Sequence, residues 1–100
     1  TQSIGSTGST ATVTQTNALG GSLADINSSV VLQTGAGNDA SATQNGQGNN
    51  SSITQSGSDG IANATQLGED NTSSIDQTGN LNTATVTQTG ARNTSDVDQT

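Results

Sequence analysis

Glutamine recurs at every eleventh residue over the last two thirds of this chain, and no other feature restricts its fold so sharply. Gln33, Gln44, Gln55, Gln66, Gln77, Gln88 and Gln99 follow one another without a slip. Two residues after each of the first six stands glycine: Gly35, Gly46, Gly57, Gly68, Gly79 and Gly90. Five after come Asn38, Asn49, Gly60, Asn71, Asn82 and Asn93, and seven after come Ala40, Ser51, Ala62, Ser73, Ala84 and Ser95. Nine after come Ala42, Ile53, Ala64, Ile75, Val86 and Val97. From Asn to Gln these positions alternate with period two, the period of a strand. Each unit is therefore expected to be a strand of about seven residues, with Asn, Ala/Ser, Val/Ile/Ala and Gln on one face. The intervening x-Gly-x-x, rich in residues that tolerate positive φ, reads as a turn, which makes the six glycines turn residues. Helix is the poorer alternative, because nothing recurs at three and four and β-branched Thr and Gly dominate.

Composition decides what such strands can bury. Only 25% of the 100 residues are hydrophobic, none is aromatic, and Pro, Cys, Met, His and Lys are absent. An ordinary globular core would have to offset about 1–2 kcal/mol of backbone ordering per residue, and this apolar area is too small for that. Taken without its periodicity, the composition predicts disorder. A periodic polar chain has another outlet, stacked β-structure held by backbone hydrogen bonds and side-chain amide ladders.

A longer period lies inside the first. The seventh position alternates Ala40, Ser51, Ala62, Ser73, Ala84, Ser95, and the ninth alternates Ala42, Ala64, Val86 with Ile53, Ile75, Val97. The full repeat is thus 22 residues with two unlike strands. It predicts an all-β solenoid of strand–turn–strand–turn coils, with two parallel in-register sheets face to face and coils about 4.8 Å apart. Small residues on one sheet oppose Val31, Ile53, Ile75 and Val97 on the other, and identical Gln and Asn lie one above another so that buried amides satisfy one another. Backwards, Asn27, Ser29, Val31 and Gln33 continue the Ser-type strands, and Ser9, Ala11, Val13 and Gln15 form an Ala-type strand. Gln15 and Gln33 are 18 apart, so seven residues are inserted, and 16–26 is assigned to an inserted loop. One domain over 1–100 results, with regular half-repeats over 27–100, eight strands, and about four coils roughly 19 Å tall.

The outward positions carry the remaining chemistry. The Ala-type strands present mostly Thr, and a flat Thr array can bind ice; Asp39 and Ile61 interrupt it, and Thr is in any case the best polar strand former. Asp59, Glu69 and Asp70 fall in turns, whereas Asp76, Asp96 and Asp98 face outward on strands. The regular Asp of a calcium-binding nonapeptide repeat is missing. Asp59, Asp70, Asp76, Asp96 and Asp98 are read instead as gatekeepers that keep the chain soluble and slow premature stacking. Val30 and Leu32 also point outward, and the inserted segment with Ala18, Leu19, Leu23 and Ile26 is expected to fold over them.

The net charge is −7, with Arg92 the one basic residue. That excludes a nucleic-acid partner or an anionic membrane surface, and no apolar run is long enough to span a bilayer. No cofactor or metal is expected. No paired catalytic carboxylates recur with suitable neighbours, and an enzyme is not expected. Residue 1 is Thr with no hydrophobic segment behind it, so any signal peptide is expected to have been removed. The expected partner is the chain itself. The last strand ends at Gln99–Thr100 without a cap, an open edge templates another strand, and head-to-tail addition gives an open filament. The alternative is a solenoid that remains monomeric and binds ice or acts as an adhesin.

The unit Gln77-Thr-Gly79-Asn-Leu-Asn82-Thr-Ala84-Thr-Val-Thr-Gln88 resembles the curlin repeat of bacterial curli fibres at every fixed position, and the resemblance covers 27–100 strongly and 9–15 in part. It implies a secreted amyloid subunit of the bacterial cell surface and extracellular matrix, active in biofilm and adhesion. It further implies export through a dedicated outer-membrane channel and a nucleator subunit as partners. The family's ladder positions fall on Gln33 to Gln99 and on Asn38, Asn49, Asn71, Asn82 and Asn93, with Gly60 in place of one Asn.

Overall fold

Strands of period two with a buried face on one side only must find a second sheet, and the 22-residue repeat supplies it from the same chain. The computed structural model describes residues 2–4, 7–17 and 25–100, the first three as backbone. Its nine strands are β1 (Gln2–Ile4), β2 (Thr10–Asn17), β3 (Ser28–Ala36), β4 (Asp39–Gln47), β5 (Asn50–Ser58), β6 (Ile61–Glu69), β7 (Thr72–Asn80), β8 (Thr83–Ala91) and β9 (Thr94–Gln99). Odd strands form one parallel sheet, β1-β3-β5-β7-β9, and even strands form the other, β2-β4-β6-β8. From β3 onward each residue pairs with the one 22 further on, as in Ile53↔Ile75 and Ala62↔Ala84. The chain is a β-solenoid of about three turns at that spacing.

The register absorbs the insertion. Gln15 pairs with Gln44 and Val13 with Ala42, an offset of 29 that equals 22 plus the seven extra residues. Because β2 runs to Asn17, the first two residues of the expected 16–26 insert belong to a strand, and residues 18–24 lie outside the described ones. The expected eight strands become nine through β1, whose register differs from the sequence pattern. Gln2 stands beside Val31, and Ile4 stands at the Gln position beside Gln33.

A second correction concerns the glycines. β3 to β8 each run nine residues, from the residue after the Asn position to three beyond Gln, so Gly35 in β3 and Gly57 in β5 lie within the ladder, not in the turn. They are in register, and a Cβ on Gly35 would land on the carbonyl oxygen of Gly57. A positive φ (102° at Gly35, 143° at Gly57) turns the chain while its backbone bonds to the next coil continue. The reversal falls two residues later, at a left-handed residue before each Asn position. Gly37 and Gly48 fill it first, then Asp59, Asp70, Leu81 and Arg92 with φ of 57°, 54°, 62° and 59°.

Left-handed backbone costs a side-chain-bearing residue about 1–2 kcal/mol, and Leu81 is 77% exposed, so its side chain contributes little packing in return. Leu81→Gly is expected to stabilise the subunit by about 1 kcal/mol, read as a raised denaturant midpoint with an unchanged slope.

The core is narrow. Ala40, Ala42, Ala62, Ala64, Ala84 and Val86 from the even sheet meet Val31, Ile53 and Ile75 from the odd one, all 5% exposed or less. The Ser-type strands add Ser51 and Ser73, whose hydroxyls lie 3.3 Å apart. Val30 and Leu32 are 46% and 41% exposed. The inserted segment expected to fold over them, with Ala18, Leu19 and Leu23, lies outside the described residues.

Candidate functional site

With so little apolar surface, the buried polar residues decide what the scaffold does. Gln33, Gln44, Gln55, Gln66, Gln77 and Gln88 are all buried within the stack. On the odd sheet Gln33 Nε2 donates to Gln55 Oε1 (2.9 Å), Gln55 to Gln77 (2.8 Å) and Gln77 to Gln99 (2.8 Å). On the even sheet the same bond joins Gln15 to Gln44 (2.7 Å), Gln44 to Gln66 (2.8 Å) and Gln66 to Gln88 (2.9 Å).

From Gln33 onward each amide makes a further bond that periodicity alone did not reveal. Its other hydrogen crosses to the opposite sheet and meets the backbone carbonyl sixteen residues earlier. Gln44 reaches Ser28 O (2.7 Å), Gln66 reaches Asn50 O (2.9 Å) and Gln88 reaches Thr72 O (2.9 Å). Gln77 and Gln99 do the same to Ile61 and Thr83, and Gln33 meets Thr10, 23 residues earlier because the seven inserted residues intervene. A carbonyl can only accept, so the nitrogen must face it, and this fixes the orientation of every amide in the column. The Gln ladders therefore have a direction, donating toward the C-terminal end. They also tie the two sheets together.

The Asn columns run the other way. Asn49 Oδ1 accepts from the backbone N–H of Asn71 (3.1 Å) and from its Nδ2 (3.0 Å). Asn27 Oδ1 receives Asn49 alike (3.0 and 3.1 Å), and Asn71 Oδ1 receives Asn93 (both 3.0 Å). The remaining Nδ2 hydrogens close the neighbouring corner, Asn49 on Gly68 O (2.8 Å) and Asn71 on Gly90 O (2.9 Å). On the other side the Asn38 backbone N–H donates to Ser9 Oγ (3.1 Å), so Ser9 accepts at the first coil as an Asn Oδ1 does elsewhere. Gly60 N–H donates to Asn38 Oδ1 (2.9 Å), but Gly60 has no amide to pass on, and the column stops there before Asn82.

The ladder positions expected from sequence are not buried alike. Val97 and Gln99 are half-buried, Asn82 is half-buried, and Asn93 and Gln15 are exposed. The cause is position: β2 and β8 are the edges of one sheet and β9 an edge of the other, so no coil covers those residues. Between β8 and β9 the core opens into a concavity lined by Val86, Gln88, Ser95 and Val97. The interior cross-section of the solenoid is thus presented at its ends.

Outside, Asp76 and Asp98 are register partners on adjacent strands and both are exposed, which sets two like charges side by side. Asp59 and Asp70 occupy the left-handed corners, and their carboxylates lie over Gly37 and Gly48 of the previous coil. Asp96 is exposed on the edge strand β9. Among the described residues no cluster of three or more acidic, Cys or His side chains is arranged to hold a metal ion. The outward Thr form one unbroken row, Thr14, Thr43, Thr65 and Thr87, beside rows that Asp39, Ile61 and Asn63 interrupt.

The arrangement is a parallel two-sheet solenoid with directional amide columns and a partly open core beside its last two strands. Residues 68–100 match the family model described as the curlin-associated repeat, so the last third of the chain carries that repeat. The ladder register continues unbroken from there back to Ser28 in β3. The curlin-repeat family is structural, not enzymatic. No curated protein matches the chain.

Proposed function

We propose that this chain is the structural subunit of an extracellular curli-like amyloid fibre, assembling head to tail through its open coil edges. The observation that carries this reading is the exposure of the ladder at its ends. Val97, Gln99, Ala11, Val13 and Gln15 occupy positions that are buried in every interior coil, and each is half-buried or exposed at the end of the stack. A second copy, stacked end to end, would bury them with the same bonds the interior uses. The curlin-associated repeat over 68–100 supports the same reading, together with secretion to a bacterial cell surface, a role in biofilm and adhesion, a nucleating partner and an export channel.

Dilution out of denaturant, followed by thioflavin fluorescence and electron microscopy, tests it. Unbranched fibres are expected. A soluble monomer at high concentration would return the chain to the class of monomeric ice-binding or adhesive solenoids.

In this reading Asp59, Asp70, Asp76, Asp96 and Asp98 retard association through like-charge repulsion. Raising ionic strength from about 0.01 to 0.15 M shortens the screening length from about 30 to 8 Å, and it should shorten the lag before assembly. A lag that lengthens or does not change with salt would remove the electrostatic role.

A further inference from the structure

Among the described residues the two sheets do not hold the same number of strands, five in one and four in the other. In an end-to-end stack each copy must advance both sheets equally. Five strands advance a sheet by about 24 Å and four by about 19 Å, so the mismatch would grow with every copy. The odd strand is β1. It pairs only Gln2, Ser3 and Ile4 with β3, whose other side is matched to β5 over nine residues. Ile4 stands in register with Gln33, so the residue at the head of that column has no side-chain donor. Gln33 is fully buried, and its Oε1 has no hydrogen-bond partner. Further down the same column, Gln55, Gln77 and Gln99 each accept through Oε1 from the Gln one coil earlier. At the opposite end Gln99 Nε2 donates to Thr83 O. Gln33, Gln55 and Gln77 each pass a further hydrogen to the next Gln, whereas Gln99 lies on β9, the edge strand of this sheet among the described residues.

Resting on the self-assembly reading above, we propose that β1 is a displaceable cap, holding the edge of β3 in the free subunit and yielding it to β9 of a second copy. Continuing the register of β7 with β9, residues Thr94–Gln99 of the second copy cover Ser28–Gln33, with Val97 on Val31 and Gln99 on Gln33. Six paired residues replace three, and the incoming Gln99 Nε2 supplies the donor that Gln33 Oε1 lacks. In the other sheet β8 takes the free edge of β2, with Val86 on Val13 and Gln88 on Gln15. Each copy then contributes four strands to each sheet, and the heights agree. While the subunit is free, the short strand covers an edge that would otherwise pair indiscriminately.

A reversible lock tests this. Ser3 and Leu32 are register partners on adjacent strands, and the chain has no cysteine of its own. Neighbouring strands are about 4.8 Å apart, within the roughly 4.4–6.8 Å that a disulfide spans between Cα atoms. The double variant Ser3→Cys/Leu32→Cys is expected to lose seeded fibre growth when oxidised and to recover it on reduction. The control Ser52→Cys/Ser74→Cys joins β5 to β7, which stay paired in both states, and should grow oxidised or reduced. Equal growth of the oxidised and reduced Ser3/Leu32 variant would overturn the cap and leave self-assembly standing. Failure of the unmodified chain to form fibres would overturn the self-assembly reading and the cap with it. The axial rise per copy in unmodified filaments gives an independent reading that needs no variant to fold. About 19 Å is expected with β1 displaced, and about 24 Å would overturn the proposal.

Discussion

Gln66→Ala is expected to destabilise the subunit by about 4 kcal/mol, a large share of the roughly 5–15 kcal/mol a domain of this size commands. Gln66 is fully buried and takes part in three bonds. It accepts from Gln44 (2.8 Å) and donates to Gln88 (2.9 Å) and to Asn50 O across the core (2.9 Å). Truncation leaves Gln88 Oε1 and the Asn50 carbonyl without that donor and opens a cavity between sheets too narrow to close it. The same change at the edge, Gln99→Ala, should cost about 1 kcal/mol, because Gln99 is half-exposed and water replaces what is lost. Gln66→Glu should be worse than Ala, since a carboxylate would confront Gln88 Oε1 and the Asn50 carbonyl with no hydrogen to offer. Denaturant titration of the soluble subunit reads all three. Equal costs at Gln66 and Gln99 would mean that the ladder is decoration on a fold held by backbone bonds alone.

Gly57→Ala is the second large effect, and its cause is backbone against backbone. A Cβ at Gly57 would land on the carbonyl oxygen of Gly79 in the next coil, and the φ of 143° is one that L-residues rarely adopt. Neither group is a flexible side-chain end, so the coils must separate locally. A cost of about 4 kcal/mol is expected, from strain and overpacking together. Gly90 has a φ of 105°, but a Cβ there would meet nothing nearer than Asn93 Nδ2 at 3.8 Å. Gly90→Ala should therefore carry the strain without the collision, at roughly half the cost. In an assembled fibre the two should converge, because a stacked copy supplies Gly90 with the neighbour that Gly57 already has. Denaturant midpoints of subunit and fibre, compared for both variants, check this.

The repeat made the architecture legible because an 11-residue spacing with period-two alternation admits few folds. Residue pairs such as Ile53↔Ile75 and Gln55↔Gln77 follow directly from the 22-residue period. What sequence could not reveal depends on neighbours in space. The cross-sheet bond from Gln66 to Asn50 joins residues sixteen apart, a separation with no signal in the repeat. The six glycines were read as turn residues from composition, yet they sit inside the ladder because the strand continues pairing past its corner. Left-handed Leu81 and Arg92 were invisible, since neither residue type advertises positive φ and only their place beside Gly37, Asp59 and Asp70 reveals it. β1 was missed because its three residues do not follow the repeat, and the backbone puts Ile4 where the ladder elsewhere has Gln. The partial burial of Val97 and Asn93 follows from where the stack ends, which no repeat encodes.

The central claim is that the chain stacks on itself every 22 residues before it stacks on another copy. Solid-state NMR of assembled protein tests it most directly, using side-chain amide contacts in fibres where labelled chains are diluted among unlabelled ones. The account predicts that the Gln55–Gln77 and Gln66–Gln88 contacts survive dilution, because both partners belong to one chain. Contacts that pair Gln55 with Gln55 of another chain, and that fade on dilution, would contradict it.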